Sequence, residues 1–300
     1  MGDMESRIFF DGADCRISAV DFGNQQGSPM VLIHGMRDHA LSMSSIAAAF
    51  PEYHVVAMDL RGHGDSDNTG SYSMAQLVAD LRALVDFFKL SCPVLVGHSL
   101  GGHIASKFAA LYPEDVSRLI LIDGMGPPRR ASNGKQHVEN WRKFVSAALE
   151  LKGERRVMQD DGEARVRLMR NNPKLIESTA TLIAEHGVEE VIEGGVRWKW
   201  DSRVAMVWGT FSHDESEVLY SHIQCPVQII SGENSLDYWT KNLVGVSDQQ
   251  AHHDADIERR RGLFKDAEHI SIPGAGHMIH YDEPDALNAV IRKFLSLECS

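Results

Sequence analysis

Short apolar runs separated by amphipathic stretches dominate the first 125 residues. "RIFF" and "CRISAVDF" read as an opening pair of strands. "MVLIHG", "HVVAMDL", "PVLVGH" and "RLILID" are compact and rich in β-branched residues, the pattern of strands buried on both faces of a parallel sheet. Between them, "SMAQLVADLRALVDFF" sets Met74, Leu77, Val78, Leu81, Leu84, Val85 and Phe88 at the spacing of one buried helical face. Ser73 with Gln76 predicts a capping box at its start. Strands alternating with helices predict a doubly wound, mostly parallel α/β sheet.

From residue 126 to 222 the rhythm changes. "VENWRKFVSAALEL", "EARVRLMRN" and "KLIESTATLIAEHG" follow one another as helical patterns with no strand-like run between them. Pro127 and Pro128 open this region, and Cys225-Pro226 closes it. Strands then resume with "PVQIIS" and "HISIPG". A last helix follows, with Pro284 at its first position and Leu287, Val290, Ile291, Phe294 and Leu295 on one face. The expected organisation is an eight-stranded core from residues 1–125 and 223–300, with a helical cap, 126–222, inserted after the sixth strand.

Composition narrows the partners. The formal charge of −12 over 300 residues disfavours nucleic acid and anionic membrane. Acidic substrates would need a local basic site, and the sequence offers none. Cys15, Cys92, Cys225 and Cys299 lack metal or redox spacing and read as reduced thiols of a cytoplasmic protein. Met1 to Asp14 lacks an apolar signal core, and no run reaches the ~18 residues of a membrane helix. Gly2 and Ser6 fit a short myristoylation pattern that arises often by chance. A homo-oligomer stays open.

The chemistry centres on "VLVGHSLGGH", where Gly97, Ser99 and Gly101 form G-x-S-x-G between a strand and a helix. That context suits a sharp turn lifting a serine oxygen above the sheet, with helix N–H groups beside it. Phosphate loops need other spacings, which are absent. A serine nucleophile needs a base within reach. Among fifteen histidines, His277 in "SIPGAGHMIHYDEP" is the candidate, with His280 the nearby decoy. "LIHGMRD" offers the Met36 N–H, joining that of Leu100, to hold an oxyanion.

Taken together, "HGMRD", "DLRGHGDSD", "GHSLGG", "LILID" and "GAGHMIHYDEP", in this order, resemble the α/β-hydrolases nearly end to end. "RLILIDGMGP" and "VRWKWDSRV" are similar to the serine hydrolase-like subgroup. The resemblance implies a triad of Ser99, His277 and an acid, and a supporting role for "RGHGDSD". In the family the acid usually follows the strand after the cap. Here the usual spacing lands on Ser235, and Asp237 comes two residues late. The other family position, at the end of "LILID", holds Asp123, so the acid is Asp123 or Asp237, with Glu233 more remote.

Trp198, Trp200, Trp208 and Phe211 cluster near the cap's end and, with His98, are candidates to line a substrate pocket. Anchoring the cap to the core is the competing role, favoured for at least two of the four aromatics. His252 and His253 point to different helix faces, so "QQAHHDADIERRRG" reads as a solvated helix rather than a metal site.

The expected protein is a serine hydrolase cleaving an ester, thioester or lactone of a small, mainly apolar molecule. It needs no cofactor and no metal. A carbon–carbon bond hydrolase and a binding protein with vestigial turnover are the alternatives. An aspartate-nucleophile dehalogenase or epoxide hydrolase is disfavoured, because position 99 is serine.

Overall fold

The computed structural model describes residues 6–129, 134–151, 155–240 and 246–297. Gly2 of the amino-terminal pattern and Cys299 lie outside them. The strands, in chain order, are β1 (Ser6–Asp11), β2 (Arg16–Asp21), β3 (Ser28–Ile33), β4 (Tyr53–Met58), β5 (Val94–His98), β6 (Arg118–Ile122), β7 (Val157–Met158), β8 (Val188–Glu190), β9 (Val196–Trp198), β10 (Val227–Gly232) and β11 (Ala267–Ile272).

Eight of these form one sheet in the order β1-β2-β4-β3-β5-β6-β10-β11. β2 runs antiparallel to its neighbours β1 and β4, and the remaining pairs are parallel. β5 and β6 are buried along their whole length, as continuous apolar runs require. Because side chains alternate across a strand, two apolar layers form. Val31, Ile33, Leu95, Leu119, Leu121 and Ile229 face one side, under the helices Met74–Phe87 and Leu100–Leu111. Met30, Leu32, Val96, Ile120, Ile122 and Ile230 face the other, under Ser44–Ala49 and Pro284–Leu295. The expected capping box is present: the Gln76 N–H donates to Ser73 Oγ and the Ser73 N–H to Gln76 Oε1. Such a box stabilises a helix by about 1 kcal/mol.

After β3 the chain adds β4 on one side, then crosses to add β5 on the other. The carboxyl ends of β3 and β5 therefore open a crevice at the switch in winding, where open α/β sheets hold ligands. Residues 34–36 and Ser99 sit at that crevice.

The inserted region contains the expected helices, Gly134–Glu150, Asp161–Asn171 and Glu177–Gly187. It is not purely helical. β7, β9 and β8 make a small antiparallel sheet, which the sequence conceals because each strand is only two or three residues long. Val204, Val207 and Tyr220, toward the end of the region, join the main core, and Tyr220 stacks on Phe264 at 4.5 Å.

The "RGHGDSD" loop is a buried polar brace. Arg61 and Asp80, both without solvent exposure, pair at 2.6 Å, and Asp59 accepts from the Ala40 and Asp65 N–H groups. The helix Gln249–Arg261 is only half solvated: His253, Asp256, Ile257 and Arg260 are buried, so the expectation of a solvated helix is corrected. Alternating charge hid that face because Asp256 and Arg260 pair with each other.

Candidate active site

Ser99 follows β5 directly, with φ 52° and ψ −114°, and the helix begins at Leu100. This backbone is costly, of order 1–3 kcal/mol, and survives only where the surroundings enforce it. They do: the Ser99 N–H donates to Ile122 O, and the Gly102 N–H returns to Ser99 O. The turn is too tight for side chains. A Cβ on Gly97 would lie 2.4 Å from Gly101 O, and one on Gly101 would lie 2.1 Å from Ile33 O.

His277 occupies the loop after β11, held by His98 Nε2, which donates to its carbonyl at 3.0 Å. Its Nε2 lies 3.1 Å from Ser99 Oγ and its Nδ1 2.5 Å from Asp123 Oδ2. All three residues are buried. Asp123 comes one residue after β6 with φ 43°, and its N–H donates to Ile230 O. Tyr238 lies flat on the imidazole, ring centres 3.8 Å apart at 8°.

Of the two acids read from the sequence, the structure brings Asp123 to His277. Asp237 makes no hydrogen bond with His277 and lines the neighbouring cavity. At the usual family position, buried Ser235 accepts the Gly232 N–H at 3.0 Å, which closes the turn after β10. His280 does not approach the serine; its ring packs on His98 at 4.6 Å and its Nε2 stands 3.7 Å from Asp38.

Met36 lies just beyond β3. Among the described residues neither its N–H nor that of Leu100 has a hydrogen-bond partner, as expected of groups left over by a loop and a helix start. The loop carrying Met36 is braced from both sides. His34 Nε2 accepts the Leu60 N–H, and Tyr281 donates its hydroxyl to Asp38 at 3.0 Å from each oxygen. Burial alone would raise the Asp38 carboxyl, but the imidazoles of His280, His39 and His34 outweigh it and hold the group well below the usual carboxylate range. Burial, then repulsion from His280 and His277, pushes His98 well below its ordinary value, so its ring is neutral at pH 7.

A cavity of about 860 Å³ opens over Ser99 and His277. Trp198, Trp200 and His98 line it, whereas Trp208 and Phe211 do not. Both rings pack at 5.2 Å on His103 of the core, where they fasten the inserted region to the helix Leu100–Leu111. The lining is also more charged than expected, for Arg37, Arg167 and Lys199 face it with Asp38, Asp237 and Asp282. The three cations are too far apart in the chain to show as a basic cluster. Sequence reasoning also missed Asp38, Tyr238 and Tyr281. Asp38 and Tyr281 stand inside "HGMRD" and "HMIHYDEP", so their nearness to Met36 and His277 was the available signal.

Among the described residues no group of three or more His, Cys, Asp or Glu side chains could hold a metal ion. No helix among them is long and apolar enough to cross a membrane. The profile of the alpha/beta hydrolase family matches residues 30–290. The chain belongs to that family and is a hydrolase of it. It is 26% identical over 284 residues to a serine hydrolase-like protein of Danio rerio, covering 91% of this chain and 83% of that one. It is 26% identical over 277 residues to an sn-1-specific diacylglycerol lipase of Mus musculus, covering 89% and 80%. The thioesterase domain from the curacin biosynthetic pathway superposes with a TM-score of 0.81 over 97% of this chain and 100% of that one, at 23% identity. At that identity the likeness concerns the fold.

Proposed function

We propose that the protein is a serine hydrolase that cleaves a carboxylic ester, thioester or lactone through an acyl-enzyme. The observation that carries this reading is the unbroken line of contacts from Asp123 through His277 to Ser99, 2.5 and 3.1 Å long, beneath an open cavity. His277 Nε2 takes the Ser99 proton as Oγ bonds to the carbonyl carbon. The Met36 and Leu100 N–H groups donate to the oxyanion. Collapse breaks the bond to the leaving group, which leaves with the proton from His277. Water, deprotonated by His277, then attacks the acyl carbon, and Ser99 departs reprotonated. Asp123 accepts the Nδ1–H and stabilises the imidazolium. A relative named as a diacylglycerol lipase supports an acyl substrate.

A fluorophosphonate probe tests the nucleophile. Labelling of the wild type at Ser99, absent from Ser99→Ala and accompanied by turnover of short p-nitrophenyl esters, is the expected result. A folded wild type that neither labels nor turns over esters would sink the proposal.

A further inference from the structure

Arg37 is an arginine in an unusual setting. It follows Met36, lines the cavity, and holds its backbone at φ 66°, in the left-handed region where a bulky side chain is uncommon. Its guanidinium carbon sits 5.0 Å from the centre of the Trp200 ring, another wall of the cavity. The other lining cations are spoken for: Arg167 pairs with Glu163 at 2.8 Å, and Lys199 with Asp65 at 2.6 Å. Among the described residues Arg37 has no hydrogen bond and no carboxylate partner. A guanidinium held over an indole face by its charge keeps N–H donors for another partner, in the fork that fits a carboxylate. The charge is also close to the reacting groups. Burial raises the Tyr238 phenol and Arg37 acts against that rise, and Tyr238 lies flat on His277.

Asp282 accepts the backbone N–H of Gly276, which leaves Asp237 as the other charged lining side chain with no hydrogen-bond partner among the described residues. It has no counterpart to the Trp200 platform or to the left-handed backbone that sets Arg37.

We infer that Arg37 is a carboxylate-binding residue, so that the substrate is an ester, thioester or lactone carrying a free carboxylate a short spacer away from the scissile carbonyl. This rests on the serine-hydrolase reading and narrows it, replacing the mainly apolar substrate expected from the sequence.

The test compares the half p-nitrophenyl ester of glutaric acid with neutral p-nitrophenyl valerate, using wild type, Arg37→Gln and Arg37→Asn. Asparagine tolerates the left-handed backbone, so that variant guards against misfolding. Wild type should favour the anionic ester at least tenfold in kcat/KM. Either substitution should cut that preference at least tenfold, mainly through KM. A wild type that prefers the neutral ester, or a preference that both variants keep, would overturn the inference. A second arm is independent of turnover: glutarate should raise the Tm of Ser99→Ala and not that of Ser99→Ala/Arg37→Gln. If no ester is cleaved yet glutarate binds through Arg37, the hydrolase reading fails and the anion site stands. If glutarate shifts neither protein, the anion site falls.

Discussion

Tyr281 grips Asp38 with one hydroxyl, 3.0 Å from each carboxylate oxygen, across 243 residues of sequence. Asp38 lies two residues past Met36, and Tyr281 four past His277. The contact therefore joins the loop of the proposed oxyanion donor to the loop of the proposed base. Tyr281→Phe removes the donor and leaves a buried carboxylate short of a hydrogen bond, which costs about 1–3 kcal/mol. Chemical denaturation should show that loss. Ester turnover should fall roughly tenfold in kcat with little change in KM, as expected when a transition-state donor drifts. An unchanged kcat would show that the two loops hold their places independently.

Asp123→Asn and Asp237→Asn should behave very differently. The first should lower kcat by something on the order of 10⁴-fold while the protein stays folded, because an amide cannot hold His277 in the required tautomer. The second should alter KM alone, by less than about tenfold. Steady-state kinetics on one p-nitrophenyl ester decide this, and equal losses would mean that the acid has been misassigned.

The aromatic residues of the inserted region divide in the same manner. Trp208→Ala should lower stability by roughly 2 kcal/mol, less than for a fully buried tryptophan, since its half-buried ring packs with Phe211 on His103. Trp200→Ala should leave the Tm near its starting value and raise KM, because Trp200 faces the cavity. Thermal melts with KM measurements on both variants test the division.

Buried neutral histidines make the fold sensitive to mild acid. Burial, then the charges of Lys107 and Arg260, lowers His103 to about 3, and burial with repulsion from His34 lowers His63 to about 3. The unfolded chain, with an imidazole pKa of about 6.5, then binds protons that the native state refuses. Stability is complete above that value and is lost as pH falls from about 6.5 toward 3, by roughly 1.4 kcal/mol per pH unit for each such histidine. Urea denaturation at pH 7.5, 6.5 and 5.5 should show the loss beginning before carboxylates titrate. His103→Gln should flatten the slope, and a wild-type curve level to pH 5.5 would refute the account.

Much of this architecture is legible before any coordinates. The β3, β5, β6 and β10 runs are apolar on both faces, and only a parallel sheet covered on both sides accommodates them. Ser99 and His277 announce themselves through glycine-rich turns that serve backbone geometry. The acid does not, because any aspartate at a strand end looks alike until the φ of 43° at Asp123 turns its carboxylate toward His277. Which aromatics form the cavity wall is hidden for a related reason. Trp198, Trp200, Trp208 and Phe211 are neighbours in sequence, but the turn through Ser202–Thr210 sends the last two to the core. Arg37, Arg167 and Lys199 converge only once the insertion folds over the sheet.

With the proposed acid, Asp123, one residue past β6, the segment leaving β10 need not supply it. Ser235 needs only to close a turn, and the residues beyond it, Asp237 and Tyr238 among them, form the wall of the cavity. Change at Asp237 can redirect which molecules enter, whereas Tyr238, flat on the His277 ring, ties the same wall to the proposed proton path. Reaction and selectivity therefore meet on neighbouring groups twice, at Met36 with Arg37 and at His277 with Tyr238, so a change of substrate at either place reaches the proposed chemistry as well.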